Sequence, residues 1–324
     1  MTVDTLIIGA GLSGLLAATI LQNAGQTVLV IDKGRQVGGR MATRRLTADN
    51  RARADHGAQF FTVREAEFQQ WVDGWLEEKS AAEWCRGFSG KDGYPRYRGM
   101  QGMTTMAKEM AKTLPVQTQT KVTQIHQSDQ KWLITTESGE GVIATQLLLT
   151  SPVPQSLALL DSGNIALSNV DRQALEAVKY DPCFAVMLVL NQPSSIPAPG
   201  GVQVRGKVID WIGDNQQKGV SELPSVTIHG SPAFTRQHLD DDRTEVGNLL
   251  VDEAQAAGYL NRDHIKSMQV HRWMYAQPIE CYRDRYLKTA VNGLPIAFAG
   301  DGFKHARVEG AALSGLAAAE SLKF

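Results

Sequence analysis

The chain has 324 residues, of which 43% are hydrophobic and 21% charged, and its formal net charge is −1. That length suits about two domains of ~100–200 residues each, and the composition is that of an ordinary globular chain. A near-neutral balance without long runs of one sign excludes a nucleic-acid footprint and a polybasic membrane anchor.

Residues 5–31 carry no charged side chain. Gln22, Asn23 and Gln26 interrupt the apolar run, and "MTVDT" is not a positively charged leader, so neither a membrane span nor a signal peptide is expected. The stretch reads instead as strand Leu6–Ile8, a helix over about Ser13–Asn23 stopped by Gly25, and strand Thr27–Ile31. This βαβ unit holds Gly9-x-Gly11-x-x-Gly14, with Asp32 at the end of its second strand. Gly9 suits the tight turn, Gly11 lets a pyrophosphate approach the backbone, and Gly14 lets helix and strand pack closely. Asp32 is placed to accept ribose hydroxyls. The motif predicts a dinucleotide but cannot separate NAD from FAD.

The next stretch, "DKGRQVGGRMATRR" (32–45), is a loop where an NAD domain normally continues into another helix. Gly38, Gly39 and Arg40 would let it cross back toward the pyrophosphate, which fits a longer cofactor in an extended groove. Arg44 and Arg45 receive no role.

Further along, helical spacing over 64–84 predicts one helix or two, and another helix spans Met103–Leu114. Three strands joined by hairpin turns follow over 120–152. Gly139-x-Gly141-x-x-Ala144 formally matches a nucleotide motif, but it lies between β-type runs with no helix after it, so a hairpin is the better reading. Residues 183–190 read as a buried strand, 191–201 as a loop, 207–212 and 225–230 as strands, 236–260 as helical and 267–275 as a strand. Strand Ile296–Ala299 delivers Gly300-Asp301, and a helix rich in small residues begins near Gly310. Asp301 could bind a polyol hydroxyl, and that helix N-terminus could stabilise negative charge on a reduced flavin. Cys85, Cys183 and Cys281 show no paired spacing, so no disulfide framework or metal site is expected, and the expected compartment is the cytoplasm.

The glycine fingerprint, "GGRMATRR" and the C-terminal "GD" strand together resemble the FAD-dependent amine-oxidase superfamily. More narrowly the chain resembles the bacterial renalase-like proteins, through "DHGAQFFT" (55–62), "GMQGMT" (99–104), "YDPCFAV" (180–186), "IDW" (209–211), "IHGSPAFTRQHLD" (228–240), "HRWMYAQP" (271–278) and "GDGFKHARVEGAALSG" (300–315). The resemblance implies an α/β fold: a Rossmann-like FAD-binding domain of the amine-oxidase/hydroxybenzoate-hydroxylase type, with a second, largely antiparallel β substrate domain. The expected division is 1–62, 97–160 and 285–324 for the first, and 63–96 with 161–284 for the second. It implies that Gly9, Gly11, Leu12, Ser13 and Gly14 line the pyrophosphate, and that Asp32, with Lys33 beside it, holds the adenosine ribose. Gly39 and Arg40 would cover the pyrophosphate and ribityl side. His56, Gly57, Ala58 and Gln59 would run beside the isoalloxazine, and Val122 would meet the adenine. Gly300 and Asp301 would meet the ribityl chain, and Val308, Glu309 and Gly310 the pyrimidine edge. Gly302 departs from the bulky residue often found after "GD". FAD is expected to be non-covalent, because Cys281 in "PIECYRD" does not match the attachment turn and His305 is a more distant candidate.

On the substrate side, Trp211, His229, His271, Trp273 and Tyr275 are candidates. Alternation along "HRWMY" puts His271, Trp273 and Tyr275 on one face. No catalytic triad or metal grouping can be drawn, which suits flavin chemistry, where the protein supplies orientation, dryness and electrostatics. The resemblance implies an oxidase that takes hydride from 2- or 6-dihydronicotinamide dinucleotides, releases NAD(P)+, and passes electrons to O2. The alternatives are an amine oxidase and a flavin-carrying assembly or stability factor whose protein partner the sequence does not name.

Overall fold

The computed structural model describes residues 1–88, 93–128 and 130–323. The turn expected at Asp129 and part of the 63–96 segment lie outside these residues. The opening βαβ unit comprises strand Thr2–Ile8, helix Leu12–Asn23 and strand Val28–Ile31. Leu6, Ile7 and Val28–Ile31 are buried, as apolar runs are in parallel strands covered on both faces.

These strands belong to an eight-stranded sheet. Its main order is Leu287–Val291, Leu294–Phe298, Gly141–Leu149, Thr2–Ile8, Val28–Ile31, Val116–Gln117, with Lys131–Thr136 and Val122–Ser128 joined through Gly141–Leu149. Gly139 takes φ +85 between antiparallel Lys131–Thr136 and Gly141–Leu149, so the second glycine motif is a hairpin. The chain therefore has the Rossmann-like α/β architecture with an added antiparallel sheet. That second sheet has five strands in the order Gly201–Gln203, Ile209–Asp214, Ser225–Gly230, Lys179–Leu190, Ile265–Glu280. Phe184, Val186, Leu188, Ile212 and Ile228 on it share a core with Val246, Leu250 and Ala254 of helix Arg243–Ala256. The opposite face is left for the site.

Several expected elements are corrected. The 64–84 helix ends at Glu77, and Ala81–Cys85 is a strand paired with Arg96–Gly99. Lys79, at φ +55, turns the chain out of the helix, and cross-strand pairing overrides local helix preference. The 236–260 segment splits into helices Pro232–Gln237 and Arg243–Ala256, because the Asp242 carboxylate accepts from the Thr244 and Glu245 amides and starts a new helix. The closing helix starts at Arg307 rather than near Gly310. Helices Val153–Ser162 and Asn169–Glu176 and strand Leu287–Val291 were not anticipated. Among the described residues, no helix is long and apolar enough to cross a membrane.

Candidate functional site

The parallel strands end together. Ile8 pairs with Ile31 and Leu149, and Leu149 pairs with Phe298. Gly9, Asp32, Thr150 and Gly300 therefore emerge along one sheet edge, where an extended cofactor can lie. Gly9 takes φ +118, and Gly14 must lack a side chain because a Cβ would stand 2.0 Å from the Gly9 carbonyl oxygen. Gly11 is different: nothing lies within 4 Å of its Cβ position, so the space before the turn is open. Beside it the Ser13 hydroxyl is buried without a hydrogen-bond partner. The Leu12 side chain belongs to the core. Asp32 anchors the turn, accepting from the Ala10 amide at 2.7 Å and the Gly34 amide at 2.6 Å. Lys33 is exposed and donates to Gln155. Val122 is buried at the head of its strand.

The Gly38-Gly39-Arg40 loop does cross back. The Gly38 amide donates to the Ala10 carbonyl at 2.7 Å, and a Cβ on Gly39 would stand 3.4 Å from the Gly11 Cα. The Arg40 side chain does not point to the fingerprint. Its Nη2 donates to Asp301 Oδ1 at 2.6 Å, its Nη1 to the Tyr275 carbonyl at 3.2 Å, and its guanidinium lies 5.8 Å from the Tyr180 ring centre. Two residues both expected to contact the cofactor thus hold each other. Burial pushes the Asp301 carboxyl above its usual range, and the Arg40 guanidinium beside it opposes this.

At the far end the Gly300 amide donates to Ser314 Oγ at 2.8 Å. Gly302 leaves room for the Tyr180 hydroxyl, which a Cβ would meet at 2.5 Å. This accounts for the small residue after "GD". Val308 is buried, and a Cβ on Gly310 would stand 1.7 Å from the His305 carbonyl oxygen. The Glu309 carboxylate is already engaged, accepting from the Arg64 and Glu65 amides at 2.7 and 2.9 Å.

The second sheet meets this edge through one row. Trp211 pairs with His229, His229 with Ala185, and Ala185 with His271, so these side chains stand on one face around a small central residue. The His56–Gln59 segment lies over them. The His56 ring stacks on Trp273 with centroids 5.4 Å apart and meets His271 edge-on at 5.2 Å. Trp273 Nε1 donates to the His56 carbonyl at 2.7 Å, and Gln59 Nε2 lies 3.4 Å from His229 Nε2. Gly57 and Ala58 bind this segment to the arginine loop, through the Ala58 amide and the Arg40 carbonyl at 2.8 Å. Alternation holds: Arg272 donates to the Leu239 carbonyl and Met274 is exposed. Trp211 joins a cluster of Phe60, Trp84 and Phe88, its Nε1 buried and unpartnered, while Tyr275 packs edge-on to Tyr180.

Burial, then the fields of His271, Arg44 and His229, push the His56 imidazole down to about 3. Burial pushes His229 and His271 down to about 4, with Lys218 adding to the first and Arg44 and Arg243 to the second. At neutral pH the cluster presents three uncharged imidazoles. His56 Nδ1 is buried without a partner.

Residues 68–323 match the sequence profile of the family described as flavin containing amine oxidoreductase. The chain belongs to that family. Residues 7–75 also match the NAD(P)-binding Rossmann-like domain. Renalase of Mus musculus is 28% identical over 336 aligned positions, covering 98% of each chain. Cyclohexylamine oxidase from Brevibacterium oxydans has the same fold, with a TM-score of 0.71 at 14% identity over 99% of this chain and 98% of that one. Putrescine oxidase bound to putrescine gives 0.68 at 16%, over 99% of each chain.

Membership in the flavin-containing amine oxidoreductases makes the protein an oxidoreductase and implies FAD. The residues present fit that cofactor. An unpartnered buried hydroxyl at Ser13 and an open face on Gly11 are what a pyrophosphate at a helix N-terminus requires. Ser13→Ala should leave the stability of the flavin-free protein unchanged, since no protein hydrogen bond is lost, and weaken FAD binding about tenfold. Thermal melts and fluorescence titration with FAD check both halves, and unchanged affinity would remove Ser13 from the site.

Sequence reasoning missed one pair in this flavin-family chain. Asp55 Oδ2 accepts from Lys218 Nζ at 2.6 Å, with both side chains buried. Asp55 lies in the quoted "DHGAQ", but nothing in "GDNQQKG" marks Lys218 as its partner, 163 positions away. Arg44, left without a role, is half-buried and donates to Gln269 at 3.4 Å.

Proposed function

We propose that the protein is a FAD-dependent oxidase of isomeric dihydronicotinamide dinucleotides, with FAD held non-covalently along the sheet edge. The fingerprint turn with Ser13 binds the pyrophosphate, the Gly39 loop covers it, and the closing helix meets the far end. When bound, the flavin supplies hydride acceptance and passes the electron pair to O2, yielding H2O2 and NAD(P)+. Cys281 supports non-covalent binding: its Sγ rests 3.7 Å from the Asp301 carbonyl oxygen, and burial and Asp301 push the thiol up, away from the nucleophilic form.

The observation that carries the substrate reading is the neutral histidine cluster. A dihydropyridine gains aromaticity on losing hydride and needs no base. Imidazoles held at about 3 to 4 are poor bases at neutral pH. Remaining uncharged, His56, His229 and His271 do not repel the positive ring that forms, and the Trp273 face can stabilise it. An amine, by contrast, must be stripped of its proton before oxidation. The amine-oxidase reading rests on the family's description as flavin containing amine oxidoreductase.

Anaerobic mixing of the FAD-loaded protein with 2- or 6-dihydronicotinamide dinucleotide is expected to bleach the visible flavin absorbance within seconds. Bleaching by amines alone would replace this reading with amine oxidation, and no bleaching by either class would end both.

A further inference from the structure

We propose that the outer side of the hairpin after the arginine loop carries a binding site for a phosphate group, formed by Arg45, Arg53 and Lys108. The site is separate from the flavin crevice and does not depend on the oxidase reading. Strands Thr43–Arg45 and Arg53–Asp55 pair antiparallel, with Arg45 directly opposite Arg53. Directly opposed residues stand on the same face, and like charges placed so are destabilising. Arg44, one residue on, takes the other face and reaches Gln269.

Arg45 and Arg53 open into a cavity of about 310 Å³, whose other wall is helix Thr104–Ala111. Lys108 of that helix and Lys79 also line it, as do two carboxylates, Glu78 and Glu109. Glu109 is bonded to Lys112. Among the described residues, no carboxylate lies within ion-pair distance of Arg45, Arg53 or Lys108. Burial, with Arg45 and Arg53 adding to it, holds the Lys108 ammonium below its usual range. Three cations gathered around one cavity, none of them in an ion pair although Glu78 and Glu109 also line it, are a local conflict in an otherwise consistent fold, and such conflicts mark functional sites. Two guanidinium forks and an ammonium match the geometry and charge of a phosphate dianion. A phosphate monoester and inorganic phosphate share that chemistry, and the cavity has room for a small substituent on the phosphate.

The test is calorimetric titration of the FAD-loaded protein at low ionic strength, with inorganic phosphate and separately with AMP. FAD loading keeps the fingerprint turn from contributing. Saturable binding with one site per chain is expected, weakened about tenfold by Arg53→Gln and by Lys108→Gln. AMP binding tighter than phosphate would assign an organic phosphate ester, and equal affinities inorganic phosphate. Neither variant should unfold: without phosphate, Lys108→Gln is expected to melt at or about 1–2 °C above the parent, because a like charge is removed. No saturable binding of either probe, or unchanged affinity in both variants, would overturn the site.

Discussion

Asp55→Ala is expected to destabilise the protein by about 3–5 kcal/mol, the cost of stranding a buried charge. The Asp55 carboxylate is fully buried and Lys218 almost so. Besides Lys218, it accepts from Thr43 Oγ1 at 2.5 Å and from the Met103 amide at 2.8 Å. Burial pulls the Lys218 ammonium down, and Asp55 is what opposes this. Without the carboxylate, the ammonium must lose its proton or draw in water, and the Thr43 hydroxyl and Met103 amide lose their acceptor. The backbone carbonyl of Asp55 also accepts from Thr227 Oγ1 and Gln59 Nε2, so the His56–Gln59 segment should loosen with it. Denaturant melts check the size of the loss, and a loss below about 1 kcal/mol, the worth of an exposed pair, would show that the ions are not held as described. Adding Lys218→Met should restore part of the stability, since the stranded cation is gone.

Gly57→Ala is expected to cost about 3 kcal/mol and to abolish FAD retention. Gly57 needs no unusual backbone conformation here, and its constraint is contact. A Cβ would stand 1.9 Å from the Arg40 carbonyl oxygen. The same oxygen accepts the Ala58 amide, so the arginine loop and the His56–Gln59 segment cannot separate without losing that bond. One methyl group would displace Gly39 and Arg40 on one side and His56 and Gln59 on the other. The ratio of flavin to protein absorbance after purification, together with the melting temperature, reads both effects. Wild-type values for both would mean the two segments are not in contact.

Much of this was legible locally. The fingerprint turn, the crossing glycine loop, the "GD" strand and the alternation of His271 and Trp273 depend on residue size and strand period, which neighbours in sequence specify. The motif Gly139-x-Gly141 was separable from the true one because β-type runs flank it. The strand Ala81–Cys85 was not legible, because its alanines, glutamate and tryptophan suit a helix equally well and only Arg96–Gly99 across the ladder decides. A place for Glu309 at the pyrimidine edge was implied by the resemblance. That its carboxylate serves the Arg64 and Glu65 amides was not.

The sequence by itself determined that a dinucleotide fold is present, where its glycines must bend, and that the chain shares its motifs with a flavin family. These follow from short-range sterics, since a turn without Cβ atoms and an acidic strand end lie within one βαβ unit. Only the tertiary structure decided which charges meet. Arg40 with Asp301 and Asp55 with Lys218 join positions far apart in the chain. Their pairing depends on burial, which removes water as the competing partner and is settled only when the two sheets pack.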